Sequence, residues 1–205
     1  MRPDILHLAT GNAHKVMEMT ALAQATASES SEPAIRIVRP TRIPEVDEDT
    51  GTFIGNAHKK AAALQAMLPA GSWVLADDSG VGVDELGGAP GVESAYFAGP
   101  QHDMAANLRK LVEVMRGVPT GRRGACFYCV LVLLGPGVEQ IFEGRCVGIL
   151  RDEPAGDRGF GYDPLFVPSG YTVTYAELSK AEKNRISHRA LAWQALAEWV
   201  AGQPT

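Results

Sequence analysis

The sequence predicts an α/β protein in which a sheet is flanked by helices. Two observations carry that prediction. Short apolar runs rich in Val, Ile and Leu alternate with stretches whose apolar residues recur at helical spacing. The runs stop at Gly, Asn, Asp and Pro, the residues of turns. No linker-like tract, internal repeat or low-complexity segment interrupts residues 1–205, so the chain reads as one domain, with two lobes around a cleft as an open variant.

Each element follows in order. Ile5 to Ala9 is a short strand, and Thr10-Gly11-Asn12 is turn chemistry. "AHKVMEMTALAQAT" is a helix with Val16, Met19, Leu22 and Ala23 on one face. "AIRIVRP" is a second strand, stopped by Pro40, and "TRIPEVDEDTGT" is an acidic loop. "FIGNAHKKAAALQAML" is a second helix, ended by Pro69. "SWVLADD" is a buried strand that ends at the acidic pair Asp77-Asp78 and gives way to a glycine-rich loop. "DMAANLRKLVEVMRGV" is a helix, and "ACFYCVLVLL" is the strongest strand. "GVEQIFEGRCVGIL" reads as two further strands, and "EPAGDRGFGYDPLFVPSG" as a long loop. From Thr174 onward a short helical start precedes a final helix, begun by Ser187.

The bulk numbers exclude several classes. Hydrophobic residues make up 45%, enough for a substantial core. The net charge of -5 lacks the basic excess of a nonspecific nucleic-acid or membrane-surface binder. Three cysteines are too few for a disulfide scaffold. Cys126 and Cys129 form a C-x-x-C, but inside a strand, where a redox pair is out of place and buried thiols are ordinary. The N-terminus lacks a signal-peptide pattern, and no apolar run reaches the roughly 18 residues of a membrane span. The expected location is the cytoplasm.

Four stretches look chemical. In "TGNAHK", Thr10 to Lys15, a strand feeds a polar turn that opens a helix. Amides and dipole at such a helix start favour an anion, and Lys15 adds a cation. Asp77 and Asp78 follow a strand, with Glu45, Asp47, Glu48 and Asp49 as further carboxylates for a hard cation such as Mg2+. "GFGYDP" sets Phe160 and Tyr162 for stacking on a flat ring, with Asp163 as an acceptor. "EKNRISHR" places Lys183, His188 and Arg189 around a helix start, where cations oppose the dipole unless an anion or a base edge is near. Each stretch alone also fits a structural role: a capped helix, an Asx turn, a tight turn over buried aromatics. Together they describe a nucleotide enzyme.

"TGNAHK", "DDSGVGVDELGGAPGVESA", "GFGYDPLF" and "EKNRISHR", in this order along nearly the whole chain, resemble the inosine-triphosphate pyrophosphatase family. The resemblance implies an elongated, twisted mixed sheet in two lobes with a central cleft. It also implies a homodimer and a Mg2+-dependent hydrolysis of noncanonical purine nucleoside triphosphates (ITP, dITP, XTP) to the monophosphate and pyrophosphate. By the same resemblance, Asp78 is the catalytic carboxylate and a metal ligand. Thr10, Gly11, Asn12, Ala13, His14 and Lys15 form the substrate loop, and Lys60 meets the phosphates. Ser79 binds substrate beside Asp78. Phe160, Gly161, Tyr162 and Asp163 hold the base, and Lys183, His188 and Arg189 read it. Glu48, twelve residues before Lys60, fits the spacing of the second metal carboxylate, with Asp49 and Glu45 as alternatives.

The chain departs from the family in two places. Glu93, Ser94, Ala95 and Tyr96 stand where the family usually reads Tyr-Ser-Ala-Arg, and the loop before Phe53 is one residue shorter than the common Thr-Gly-Leu-Thr-Phe. The sequence admits three rival readings, and the departures at Glu93 and Tyr96 bear on the second. The three are a pyrophosphatase for another modified nucleotide, a catalytically silent nucleotide sensor, and a redox protein using Cys126 and Cys129.

Overall fold

The computed structural model describes residues 2–29 and 35–204, without the side chain of Glu29. Ala34, placed by sequence at the start of the second strand, lies outside the described residues. The elements are β1 (Ile5–Leu8), α1 (Ala13–Glu29), β2 (Arg36–Val38), α2 (Phe53–Gln65), β3 (Val74–Val83), α3 (Met104–Val114), β4 (Gly124–Gly135), β5 (Val138–Leu150), β6 (Phe166–Pro168), α4 (Lys180–Ile186) and α5 (His188–Ala201). The six strands form one sheet in the order β2-β1-β3-β4-β5-β6. β1 pairs in parallel with β2 and β3, and β5 pairs antiparallel with β6, so the sheet is mixed and the class is α/β. No described helix is long and apolar enough to cross a membrane.

Three sequence expectations are corrected. The acidic pair does not end its strand: β3 runs on from Val74 to Val83, with Asp77 and Asp78 inside it. Two of the glycines that suggested a loop, Gly80 and Gly82, are strand glycines at close approaches, while Gly87, Gly88 and Gly91 lie beyond the strand. A Cβ on Gly80 would stand 2.3 Å from the Gly91 carbonyl oxygen and 2.5 Å from Ser94 Oγ. Second, "GVEQIFEGRCVGIL" is one strand, β5, rather than two. Its inward and outward positions keep alternating from Phe142 through Gly144 to Leu150, so Gly144 is a strand residue and not a turn. Third, the long loop contains β6, whose Phe166, Val167 and Pro168 pair with Leu150, Ile149 and Gly148.

The chain divides into two compact units: Met1–Asp78, Cys129–Gly144 and Arg189–Thr205 form the first, and Ser79–Tyr128 and Arg145–His188 the second. In the first unit, both faces of the sheet are covered. Leu6, Leu8, Leu75, Leu131 and Leu133 pack with Met19 and Leu22 of α1 and Trp193 and Leu196 of α5. Val74, Ala76, Val130 and Val132, the alternate residues of β3 and β4, pack with Ala57, Ala61 and Leu64 of α2. This explains why these strands read as continuous apolar runs. In the second unit, Val81, Val83, Phe127, Leu150 and Phe166 pack with Leu111 of α3, with Met115 just after it, and with Tyr162, Tyr175 and Leu178. Arg123, 2% exposed, closes that core's edge by donating to the carbonyls of Met115, Val118, Leu150 and Arg151.

Candidate active site

Successive residues of a strand point to opposite faces, and this places the two adjacent carboxylates in different surroundings. Asp77 shares its face with Leu75, toward α1 and α5, and Asp78 shares its face with Ala76, toward α2. Each carboxylate meets its own cations.

Asp77 is 1% exposed and is gripped from three sides. Arg189, from the first turn of α5, donates Nε to Oδ2 at 2.7 Å and Nη2 to Oδ1 at 3.4 Å. Lys15 Nζ lies 2.5 Å from Oδ1 and 3.3 Å from the Asp77 carbonyl oxygen. The Cys129 thiol donates to Oδ2 at 3.4 Å. Arg189 also pairs with Glu18 of α1. Burial alone would raise the Asp77 carboxyl, but Arg189 and Lys15 overcome it and hold it well below the usual carboxylate range. Asp77 is thus a buried carboxylate held ionised by two cations.

Asp78 is 4% exposed. Its Oδ1 accepts from Lys60 Nζ at 2.7 Å and its Oδ2 from Asn56 Nδ2 at 3.4 Å. Lys60 and Asn56 lie one helical turn apart on α2 and reach the same carboxylate. Lys60 Nζ also meets Glu48 Oε2 at 3.3 Å. Burial pushes the Asp78 carboxyl up to about 6 against the pull of Lys60 and Lys15, and the Glu48 charge adds to the rise. A carboxyl held in this range suits proton transfer near neutral pH. Glu48 goes the other way: burial raises it, but Lys60 and its neighbours bring it below the usual value. Of the loop acids proposed from sequence, Glu48 is the one on Lys60; Asp49 pairs with Lys59, and Glu45 is exposed.

No group of three or more His, Cys, Asp or Glu is arranged for a metal among the described residues. Two carboxylates already bridged by one ammonium are nevertheless a fitting donor set for Mg2+, which takes one or two carboxylates and completes its shell with water and phosphate oxygens.

The first loop is organised by its own side chains. Asn12 Oδ1 accepts from the amides of His14 at 2.9 Å and Lys15 at 3.3 Å, and Thr10 Oγ1 accepts from Asn12 N at 3.1 Å. Two of the helix-start amides expected to face an anion are thus capped by Asn12, while the dipole of α1 and Lys15 remain. Asn12→Ala is expected to lower stability by about 1 kcal/mol, the usual cost of a lost N-cap, read as a shift of the urea midpoint at constant m.

The second unit holds the aromatic candidates and two of the basic ones, Lys183 and His188. Phe160 N donates to Asp163 Oδ2 at 2.8 Å, closing the Phe160–Asp163 turn. Lys183, from α4, donates Nζ to the same Oδ2 at 2.5 Å, and its ammonium lies 5.4 Å from the ring centres of both Phe160 and Tyr175. Gly161 takes the left-handed conformation, φ +63°, that this turn needs. Tyr162 donates its hydroxyl to the Ser94 carbonyl at 2.8 Å. His188 is buried with its ring stacked on Phe127 at 4.7 Å. Ser79 is half-buried on β3. Lys183 and His188 belong to the second unit and Arg189 to the first, so the three basic residues grouped by sequence divide between them. At the divergent stretch, Tyr96 packs its ring edge against His102 at 4.1 Å. The buried Asn107 holds this turn, donating to the Ala95 carbonyl at 2.9 Å and accepting from Ala98 N at 2.6 Å. Burial raises the thiols of Cys126 and Cys129 above their ordinary value, opposite to the lowered thiol of a redox pair.

Sequence reasoning missed Asn56, Glu18 and the grip of Arg189 on Asp77. Asn56 lies in the first turn of α2, which Thr52 caps by accepting from Gly55 N at 3.0 Å, and no local pattern shows what that turn faces.

A family model described as the Ham1 family matches residues 6–199. A dITP/XTP pyrophosphatase of Opitutus terrae is 61% identical over 198 residues, covering 95% of this chain and 97% of that one. A dITP/XTP pyrophosphatase of Shouchella clausii is 48% identical over 161 residues, covering 78% and 80%. Among solved structures, the Staphylococcus aureus Ham1 protein superposes with a TM-score of 0.80 at 31% identity, covering 98% of this chain and 100% of that one. A HAM1 protein from Coxiella burnetii gives a TM-score of 0.80 at 34% identity, covering 97% and 99%.

Proposed function

The chain belongs to the Ham1 family, and from that premise we propose that it hydrolyses the triphosphates of noncanonical purines, ITP, dITP and XTP, to the monophosphate and pyrophosphate. The relatives named dITP/XTP pyrophosphatase supply the substrate class. The observation that carries the chemistry is Asp78, a buried carboxyl raised to about 6 and set between Lys60, Asn56 and Glu48.

Glu48 and Asp78 would hold Mg2+, which when bound supplies positive charge at the phosphate oxygens. The chain's own residues do the rest. Lys15 and Lys60 attract and orient the triphosphate, helped by the dipole of α1. Asp78, in its ionised form, takes the proton of the water that attacks the α-phosphorus. Pyrophosphate departs with its charge offset by the lysines. Reactions of this kind ask mainly for positioning and charge stabilisation.

In this reading the base-holding residues are those the resemblance implies, Phe160 and Lys183 among them. Phe160 offers a stacking ring, and Lys183, fixed by Asp163, offers a donor to an oxo group at C6. Adenine presents an amino donor there and leaves the ammonium unmatched, at a cost of about 1–3 kcal/mol. Arg189 is counted with the substrate residues by resemblance, while its guanidinium rests on Asp77 and Glu18. The proposal includes a homodimer, as the resemblance implies. It also includes a cytoplasmic setting, which suits the free thiols of Cys126, Cys129 and Cys146.

The test is pyrophosphate release from ITP, dITP, XTP, GTP, ATP and a modified pyrimidine triphosphate with Mg2+. The expected kcat/KM for XTP and dITP exceeds that for ATP by about 10–100-fold, the factor set by one mismatched polar contact. A preference for the pyrimidine would reassign the substrate. Tight ITP binding without release would mark a sensor.

A further inference from the structure

We propose that Thr50 and Asn56 are positioning residues that hold the two carboxylates, Glu48 and Asp78, in register, and that Gly55 is glycine because it makes room for them. This rests on the reading of that pair as the metal-holding carboxylates.

Asn56 is fully buried, and its carboxamide can face only one way. Thr50 N, which can only donate, lies 3.2 Å from one end of the amide, so that end is Oδ1. The Thr50 hydroxyl adds a second donor to it at 2.7 Å. Nδ2 is therefore turned to Asp78 Oδ2, at 3.4 Å, while Lys60 takes Oδ1. The amide thus determines which edge of Asp78 stays free of Lys60. Its other end anchors the chain two residues after Glu48, whose carboxylate reaches Lys60 at 3.3 Å. One side chain links the backbone of the acidic loop to the carboxylate on β3.

Gly55 is an independent sign of the same device. It sits in the first turn of α2, where alanine is the better helix former. A Cβ there would stand 2.4 Å from Thr50 Oγ1, 2.7 Å from Thr50 Cβ and 2.9 Å from Thr52 Oγ1. Any side chain at this position displaces Thr50 from Asn56.

Thr50 is exposed, so it can be changed without emptying a core. Thr50→Val keeps the side-chain shape and removes the hydroxyl, and Thr50→Ser restores it. Two readouts are compared in the full-length protein: Mn2+ binding without nucleotide, from the electron paramagnetic resonance signal of free Mn2+, and kcat and KM for XTP. Thr50→Val is expected to weaken Mn2+ binding and to lower kcat by about tenfold each, the low end for losing a partner behind a metal ligand. KM should change little, Thr50→Ser should match the wild type, and Gly55→Ala should reproduce Thr50→Val. Three results would overturn the proposal: a Thr50→Val protein equal to the wild type in Mn2+ binding, a Thr50→Ser protein as impaired as Thr50→Val, or a wild type that leaves millimolar Mn2+ free. A wild type whose Mn2+ binding depends on Thr50 but which releases no pyrophosphate from XTP would instead overturn the substrate reading and leave this one standing.

Discussion

Asp78→Asn is expected to reduce turnover of XTP by about 10²–10⁴-fold, the range a positioned general base contributes, while the protein stays folded. The amide has the same shape and keeps a polar group between Lys60 and Asn56. It also removes a charge that burial and the neighbouring Glu48 make unfavourable. Tm should therefore hold or rise, as it does where a strained functional residue is neutralised. Steady-state pyrophosphate release and a thermal melt on the same preparation make the measurement. Wild-type turnover in this variant would remove Asp78 from the reaction, and a collapsed melt would show that its charge is structural.

The largest stability effect is expected at the other carboxylate. Arg189→Leu leaves Asp77 ionised and buried with Lys15 as its remaining cation. Breaking a buried pair from one side costs about 3–5 kcal/mol, roughly 6–20 °C in Tm for a chain of this length. Arg189→Leu combined with Asp77→Asn should recover much of the loss, because the stranded charge is gone. The four melts of this double-mutant cycle isolate the coupling. Simple additivity would mean that Arg189 and Asp77 contribute independently despite the 2.7 Å contact. An Arg189→Leu protein with unaltered Tm would exclude a structural role for the pair.

These two expectations come from neighbouring residues with opposite assignments, and the sequence shows why they are easily confused. "ADDSG" announces two anions and invites one metal to explain both. The alternation of a strand separates them, but that inference needs the strand to continue past Asp78. Gly80 and Gly82 hide the continuation, since glycine argues for a turn unless the backbone or side chain pressing against it is known. The sequence likewise reads β5 as two strands where the structure has one.

The chemistry-bearing residue types were legible because each is a local pattern: a turn opening a helix at Asn12, a glycine turn around Tyr162, a helix start at His188. So was the α/β class, since apolar periodicity is written within a few residues. The pairings were not. Arg189 finds Asp77 across 112 positions and Glu18 across 171, and no spacing rule connects them. Asn56 lies only six residues from Thr50, yet the clamp shows only when Gly55 is seen to have no room for a methyl.

By itself, then, the chain's order of residues determined which groups are present, which elements carry them and what family they resemble, because backbone propensity and short-range periodicity act over a few residues. Only the tertiary structure decided which carboxylate is locked by Arg189 and which is left raised beside Lys60. A buried charge takes its protonation and its partner from whatever packing brings within a few ångströms, and that is set by sheet order and helix placement across the first unit.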